Sequence, residues 1–446
     1  MIERNPFCAA LCRTAIAAAV LFPVHASCGE MPADDIGNKV DYLVFTPTVP
    51  RNIPREKMDP ARRGDRYNDH FQVLWDEGRR RYYAFWTQAS WEGAGDHHVM
   101  FSRSLDMGKT WSEAIVLAGS ERRACRRFQA DWQQPMLSKG GRLYCLWNQE
   151  VRTRKGGWPQ RVLAGFYSDD GGDTWCPPDV ANRPGTESKP WVMPLYTGWI
   201  NWQRPLRLAP GGKYFVGSSE SGTTRFWRFE NIDDNPEICD ISISAFPGAP
   251  KERLKVADVV DKIEYVSDDK RPAIEEASVV KLPDGRLFAL MRSSTGHPLW
   301  SQSRDGGESW SAPRFLRDAE GKAYPHPRSP CPIYDWKGPE AGSGIYFSFV
   351  HNMFDFNNPK TPYQKRGPLY LIAGRFDPSG EQPIKFSPMK LFWSRGGSNA
   401  FYTSYTVADG TGVLWFPDTK YRLVGRKIGP EWFDDAGSIP AKPASR

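Results

Sequence analysis

The chain has 446 residues with 40 Gly, 38 Pro, 18 Trp and a formal net charge of +7. A 40% hydrophobic fraction supplies a buried core, and the absence of long apolar runs at 3.6-residue spacing excludes a helical architecture. Apart from Arg79-Arg80-Arg81 and Arg122-Arg123 the cations are scattered, which argues against a nucleic-acid patch and fits an anionic small partner such as a sugar acid.

Residues 1–26 read as a signal peptide. Arg4 and Arg13 give a positive start, Thr14–Val24 is apolar, and Val24-His25-Ala26 has the small-residue form of a cleavage site. The apolar run is too short for a membrane span, and no other stretch qualifies. Export to the periplasm or the medium is expected, with lipid anchoring at Cys28 as the variant. Residues 27–40 and 431–446 read as flexible ends around a single unit over 41–430. Cys125, Cys145, Cys176, Cys239 and Cys331 are scattered without a C-x-x-C, so no zinc site is indicated, although export permits disulfides.

Strand-like runs follow in order, among them Arg81–Thr87, Arg142–Trp147, Arg286–Met291 and Gly344–Val350, separated by turn residues. Between them one pattern, S-x-D-x-G-x-[TS]-W, occurs as Ser104–Trp111, Ser168–Trp175 and Ser303–Trp310. Its chemistry is that of a tight hairpin: Asp binds backbone amides, Gly takes a positive φ, and Trp plugs the turn into the core. The first two copies start 64 residues apart and the third starts 135 further on, so a degenerate copy is expected between. Such periodicity signals repeated units. The pattern resembles the Asp-box, or BNR repeat, of sialidase-type β-propellers. Dividing the span from Val40 to Ile428 by this period predicts an all-β, six-bladed β-propeller of four-stranded antiparallel blades. In the family the boxes lie away from the active site, so they indicate fold and not chemistry.

A second repeat has polar residues, an apolar strand and a turn glycine. Asp69, Gln133, Gln203, Glu276 and Tyr402 each precede such a glycine by eight or nine residues. If the repeats superpose, these side chains gather at one mouth of the channel, together with Arg204, where a site is expected.

The segment Glu276–Leu287, running on to Arg292 and the third box, is similar to the exo-α-sialidase segment in which a Glu, a D-G turn and an Arg precede a box. That resemblance implies that Glu276 serves a tyrosine nucleophile and that Arg292 grips the substrate carboxylate. Phe401-Tyr402-Thr403-Ser404 is similar to the family's Y-S motif, which makes Tyr402 the candidate nucleophile, with Tyr405 second. Arg366 stands in the place of another carboxylate-binding arginine. Where the family opens with R-I-P, this chain reads Arg66-Tyr67-Asn68-Asp69, so Arg66 is the nearest counterpart, with Arg51 in Arg51-Asn52-Ile53-Pro54 outside that strand. Asp96 is the candidate acid/base and Asp69 its rival. A neutral tyrosine suits a sugar bearing a carboxylate at its anomeric carbon, because an anionic nucleophile would be repelled.

His70, His97, His98, His326 and His351 fall near blade loops, and only one of His97 and His98 can face the channel. A histidine and tyrosine set also suits a lyase acting on uronate polymers. A non-catalytic glycan-binding propeller using Trp91, Trp132, Trp158 and Trp202 is the third reading. The expectation is therefore a monomeric hydrolase of an acidic glycan, with no cofactor, metal, nucleic acid or membrane span.

Overall fold

The computed structural model describes residues 39–54, 57, 64–119, 129–151, 160–176, 193–195, 198–200, 203–264, 272–351, 366–394 and 402–433. The expected signal peptide, Cys28, Trp158, Trp202, Phe401 and most of the C-terminal tail lie outside them. Six antiparallel sheets follow one another as blades. The first runs Tyr67–Asp76, Arg81–Ala89, His98–Ser104 and Ile115–Gly119. The second runs Ala130–Leu137, Leu143–Val151, Gln160–Ser168 and Met193–Leu195. In the third, Gly198–Ile200 and Leu206–Ala209 both pair with Lys213–Glu220, followed by Thr223–Phe229 and Ile243–Phe246. The fourth runs Ile274–Lys281, Leu287–Ser293, Leu299–Ser303 and Arg314–Phe315. The fifth runs Ile333–Asp335, Ile345–Val350, Leu369–Phe376 and Ile384–Phe386, with Lys390–Trp393 also on its third strand. The sixth takes Ser404–Ala408, Thr411–Asp418 and Arg422–Lys427 and is completed by Tyr42–Phe45 from the other end of the chain. Among the described residues no helix is long and apolar enough to cross a membrane.

The strands read as continuous apolar runs because blades cover one another on both faces. Leu287-Phe288-Ala289-Leu290-Met291 shows how. Leu287, Ala289 and Met291 pack into the core shared with the third blade, while Phe288 and Leu290 pack into the core shared with the fifth. Period-two alternation therefore sorts one strand's side chains between two cores.

The three boxes stand at the turns between third and outer strands. In each, the serine hydroxyl accepts the glycine amide and the aspartate accepts the next Thr or Ser amide: Gly108 N to Ser104 Oγ 2.8 Å, Thr110 N to Asp106 Oδ1 2.9 Å; Gly172 N to Ser168 Oγ 2.7 Å, Thr174 N to Asp170 Oδ1 2.9 Å; Gly307 N to Ser303 Oγ 2.8 Å, Ser309 N to Asp305 Oδ1 2.9 Å. The tryptophan then reaches the preceding blade, as Trp310 does with its ring 4.0 Å from Phe226. Gly307 is required twice over: its φ is +96°, and a Cβ would stand 2.4 Å from the Phe215 ring. The expected degenerate copy falls at Glu230–Asn235, where the third blade makes the same corner with a short 3-10 turn over Ile232–Asp234 and no box.

Candidate functional site

The first strand of each blade lines the axis, and inner strands of neighbouring blades touch around it: the first blade's contacts those of the second and sixth, and the fourth's contacts that of the fifth. Near their starts, three carry the same irregularity. The ladder register shifts between Asp69 and Gln72, between Asp131 and Gln134, and between Glu275 and Ser278. Inside each shift one residue adopts a left-handed backbone: His70 at φ 52°, Trp132 at 52° and Glu276 at 53°. These are β-bulges, and a bulge lets two successive side chains face the same way. Asp69 with His70, and Asp131 with Trp132, accordingly line one cavity of about 500 Å³ that Glu276 and Tyr402 also line.

At the back of this cavity Tyr402 Oη donates to Glu276 Oε1 at 3.0 Å. Arg292 Nη1 stands 2.9 Å from both oxygens of that carboxylate and 3.4 Å from Tyr402 Oη. All three residues are less than 10% exposed. Burial, with the Glu276 charge, holds the Tyr402 phenol well above the usual tyrosine range, against the pull of Arg292. The phenol is therefore neutral at rest, with its proton already shared with a carboxylate. Burial works against the Arg292 cation, but Glu276, Tyr402 and Glu275 outweigh it and hold it firmly charged. Glu275 in turn accepts from Arg328 Nε at 2.9 Å and Nη2 at 2.7 Å, and Arg366 Nη2 donates to the Arg328 carbonyl at 3.0 Å. Arg366 is close enough to act electrostatically on Tyr402.

The opposite wall carries Lys420, whose Nζ is 2.9 Å from Asp69 Oδ2 and 3.0 Å from Glu92 Oε1. It sits 5.4 Å from the centres of both the Tyr67 and Tyr402 rings. Tyr67 Oη donates to Asp69 Oδ2 at 3.0 Å. The His70 ring lies 4.4 Å from the Tyr402 ring, and burial together with the Lys420 charge pulls its pKa well below the usual histidine value. Trp132 lies under the Arg161 guanidinium at 4.6 Å.

The fold thus brings Tyr402, Glu276, Arg292, Arg366 and Asp69 together. It places the other candidates differently. Asp96 is fully buried and does not line the cavity; its carboxylate accepts the Ser90 amide at 3.2 Å and the Ser90 hydroxyl at 2.5 Å. Arg66 donates to the Ile53 carbonyl. Gln203 Oε1 accepts the Val279 amide at 2.9 Å and its Nε2 donates to Ser278 Oγ at 2.9 Å. Arg204 crosses the axis to the carbonyls of Val73 at 2.9 Å and Tyr405 at 3.2 Å, and burial draws its pKa down to about 10. Gln133 Nε2 donates to the His70 carbonyl. Gln133, Gln203 and Arg204 therefore brace the bulges and the axis. Tyr405 Oη donates to the Trp336 carbonyl at 2.9 Å, outside the cavity.

Sequence reasoning did not single out Tyr67, Asp131, Arg328 or Lys420, and gave His70 and Trp132 no role at the bulge. The hairpins after the inner strands differ by one residue in length, so counting back from the turn glycine slips the alignment by one, and one residue in a strand is the difference between two faces. Each bulge pair was visible as two polar or aromatic residues before a strand. Lys420, which comes from the far end of the chain, left no signal.

The family described as BNR repeat-like domain matches residues 80–413. A search of curated proteins found none that matches. Among solved structures, a protein of unknown function from Dyadobacter fermentans aligns over 88% of this chain and 98% of its own at TM-score 0.51 and 12% identity. The K499G mutant of the NanB sialidase from Streptococcus pneumoniae aligns over 85% and 72% at TM-score 0.54 and 13% identity. Trypanosoma rangeli sialidase aligns over 83% of this chain and 56% of its own at TM-score 0.51 and 15% identity. At these identities the likeness is one of fold.

Proposed function

The chain belongs to the family of BNR repeat-like domains and has the sialidase fold, and from that premise we propose that it is a glycoside hydrolase releasing an acidic sugar through a tyrosine nucleophile. The observation that carries the reading is the 3.0 Å bond from Tyr402 to Glu276 inside the cavity, with Arg292 on the same carboxylate. Glu276 takes the phenol proton as Tyr402 attacks the anomeric carbon, so no anion has to approach the sugar's carboxylate. Arg292 and Arg366 hold that carboxylate from one side, and Lys420 supplies the cation of the first-blade wall, the role the sequence pointed to in Arg66. Two successive displacements at one carbon leave the product with the configuration of the substrate.

Hydrolysis of a 4-methylumbelliferyl α-sialoside tests this. Wild type is expected to release the fluorophore, Glu276→Gln to lose about 10²- to 10⁴-fold, and Tyr402→Phe to lose more. Proton NMR of the first sugar released is expected to show retained configuration. Unchanged turnover in Tyr402→Phe overturns the nucleophile. Absence of sialic acid release, with absorbance of an unsaturated uronate rising on a uronate polymer, replaces the hydrolase by a lyase.

A further inference from the structure

One imidazole in the cavity has no role in that chemistry. His97 lies just before the first blade's third strand, is 8% exposed, and lines the cavity. Its Nδ1 stands 3.3 Å from Asp131 Oδ2. A carboxylate only accepts, so Nδ1 carries a proton and Nε2 is the nitrogen left for a bound molecule. Nε2 is buried and has no hydrogen-bond partner among the described residues. Tyr67 stacks on the ring at 5.7 Å and 13°. A ring that lines a cavity, fixed on one face and at one nitrogen, with its other nitrogen unbonded, is arranged as a histidine general acid/base is.

The cavity's other acids already hold partners, although Asp69 keeps one buried oxygen unbonded among the described residues. Asp69 and Glu92 both pair with Lys420. Glu150 accepts from Gln129. Asp96, the neighbour of His97, lies outside the cavity and is bonded to Ser90. The remaining imidazole, His70, lies against the nucleophile's ring.

We propose that His97, positioned by Asp131, is the acid/base residue that serves the leaving-group oxygen. The inference rests on Tyr402 being the nucleophile. In the first half, which starts with both His97 nitrogens protonated, the bond from Tyr402 Oη to the anomeric carbon forms, the bond from that carbon to the leaving oxygen breaks, and the Nε2 proton passes to that oxygen, leaving the ring protonated at Nδ1 alone. In the second half, a water attacks the same carbon and gives its proton to Nε2. The bond to Tyr402 breaks, and the phenol recovers its proton from Glu276. Asp131 accepts from Nδ1 throughout and is a positioning residue.

Two probes separate this role from a structural one. A 4-methylumbelliferyl leaving group departs with little protonation, whereas the alcohol of sialyllactose needs it. His97→Gln is expected to lower kcat/KM for sialyllactose by about 10²- to 10⁴-fold and for the aryl sialoside by less than about tenfold. Azide, which needs no deprotonation, is expected to raise the variant's kcat on the aryl probe and yield a sialyl azide. Asp131→Asn is expected to show the same split at smaller size. Equal losses on both probes without azide rescue, or no loss on either, overturn the assignment of His97 while Tyr402 and Glu276 stand. A wild-type protein that cleaves neither probe overturns the hydrolase reading and this inference with it.

Discussion

Glu276 holds a φ of 53° inside a strand, and His70 and Trp132 do the same at the matching places of their blades. That backbone costs a non-glycine residue about 1–2 kcal/mol. Strain repeated among the residues that line one cavity belongs with the function of that cavity. The bulges need support, and polar side chains that seemed destined for substrate supply it: Gln133 bonds the His70 carbonyl, and Gln203 bonds the amide of Val279, just past the Glu276 bulge. Arg204 does so at the axis. Removing it leaves the Val73 and Tyr405 carbonyls buried without that donor, at about 1–3 kcal/mol for each. Arg204→Leu is therefore expected to lower stability by about 2–5 kcal/mol, read as a shift of the urea midpoint at unchanged slope. A loss below about 0.5 kcal/mol contradicts the bracing role. Glu276, Arg292 and Tyr402 were legible in the sequence because their neighbours form a motif. The bracing residues look the same in sequence as site residues, since both are polar groups at inner strands, and only the side of the strand they take tells them apart.

At the level of elements, the box is a self-contained device. Burial opposes ionisation of Asp106, Asp170 and Asp305, yet hydrogen bonds from the Thr or Ser that follows and the Ser that precedes hold all three below the usual carboxylate range. Its bonds are local, so it is legible as a string of residues. The buried histidines between the fourth and fifth blades are not. His326 Nε2 donates to the Ser329 carbonyl at 3.0 Å, and its Nδ1 accepts the His351 amide at 3.2 Å, so its neutral form is locked on both nitrogens. Burial, opposed by the Ser329 bond and helped by Arg366, pulls its pKa down to about 4, and burial with the His326 and Arg366 charges pulls His351 well below its usual value. An unfolded histidine titrates near 6.5. Between about 6.5 and about 4 the unfolded chain therefore binds more protons than the folded one, and stability falls as pH drops through that window. The thermal midpoint is expected to decline on acidification across it, and His326→Gln to flatten the decline. An unchanged slope in the variant contradicts the assignment.

For the whole molecule, closure decides the site. Tyr42–Phe45 pairs with Arg422–Lys427, so the chain's first described strand completes its last blade. Phe45 stands 5.3 Å from the ring of Trp86, tying the sixth blade to the first, and Tyr42 packs 5.3 Å from the Trp415 ring within the sixth blade. The same junction carries Lys420 to Asp69 and Tyr402 to His70. Phe45→Ala is expected to cost about 1–3 kcal/mol, part of a full core truncation because the ring is half-buried, and, on the proposed hydrolase reading, to lower sialoside turnover along with stability. A stability loss with intact turnover shows that the site tolerates a loosened seam.

The sequence by itself determined the repeat, its corners and the propeller, because these are carried by contiguous residues whose hydrogen bonds and alternation are local. Tyr402, Glu276 and Arg292 were singled out only by motifs that resemble a family's, and the meeting of Tyr402 with the other two spans more than a hundred residues. Only the tertiary structure decided which neighbours share the cavity. A one-residue bulge turns a side chain from one face to the other, and Lys420 meets Asp69 across 351 positions of chain once the ring has closed. The bulge leaves no more than two polar or aromatic residues before a strand, and the meeting of Lys420 with Asp69 leaves no mark in the spacing of the residues involved.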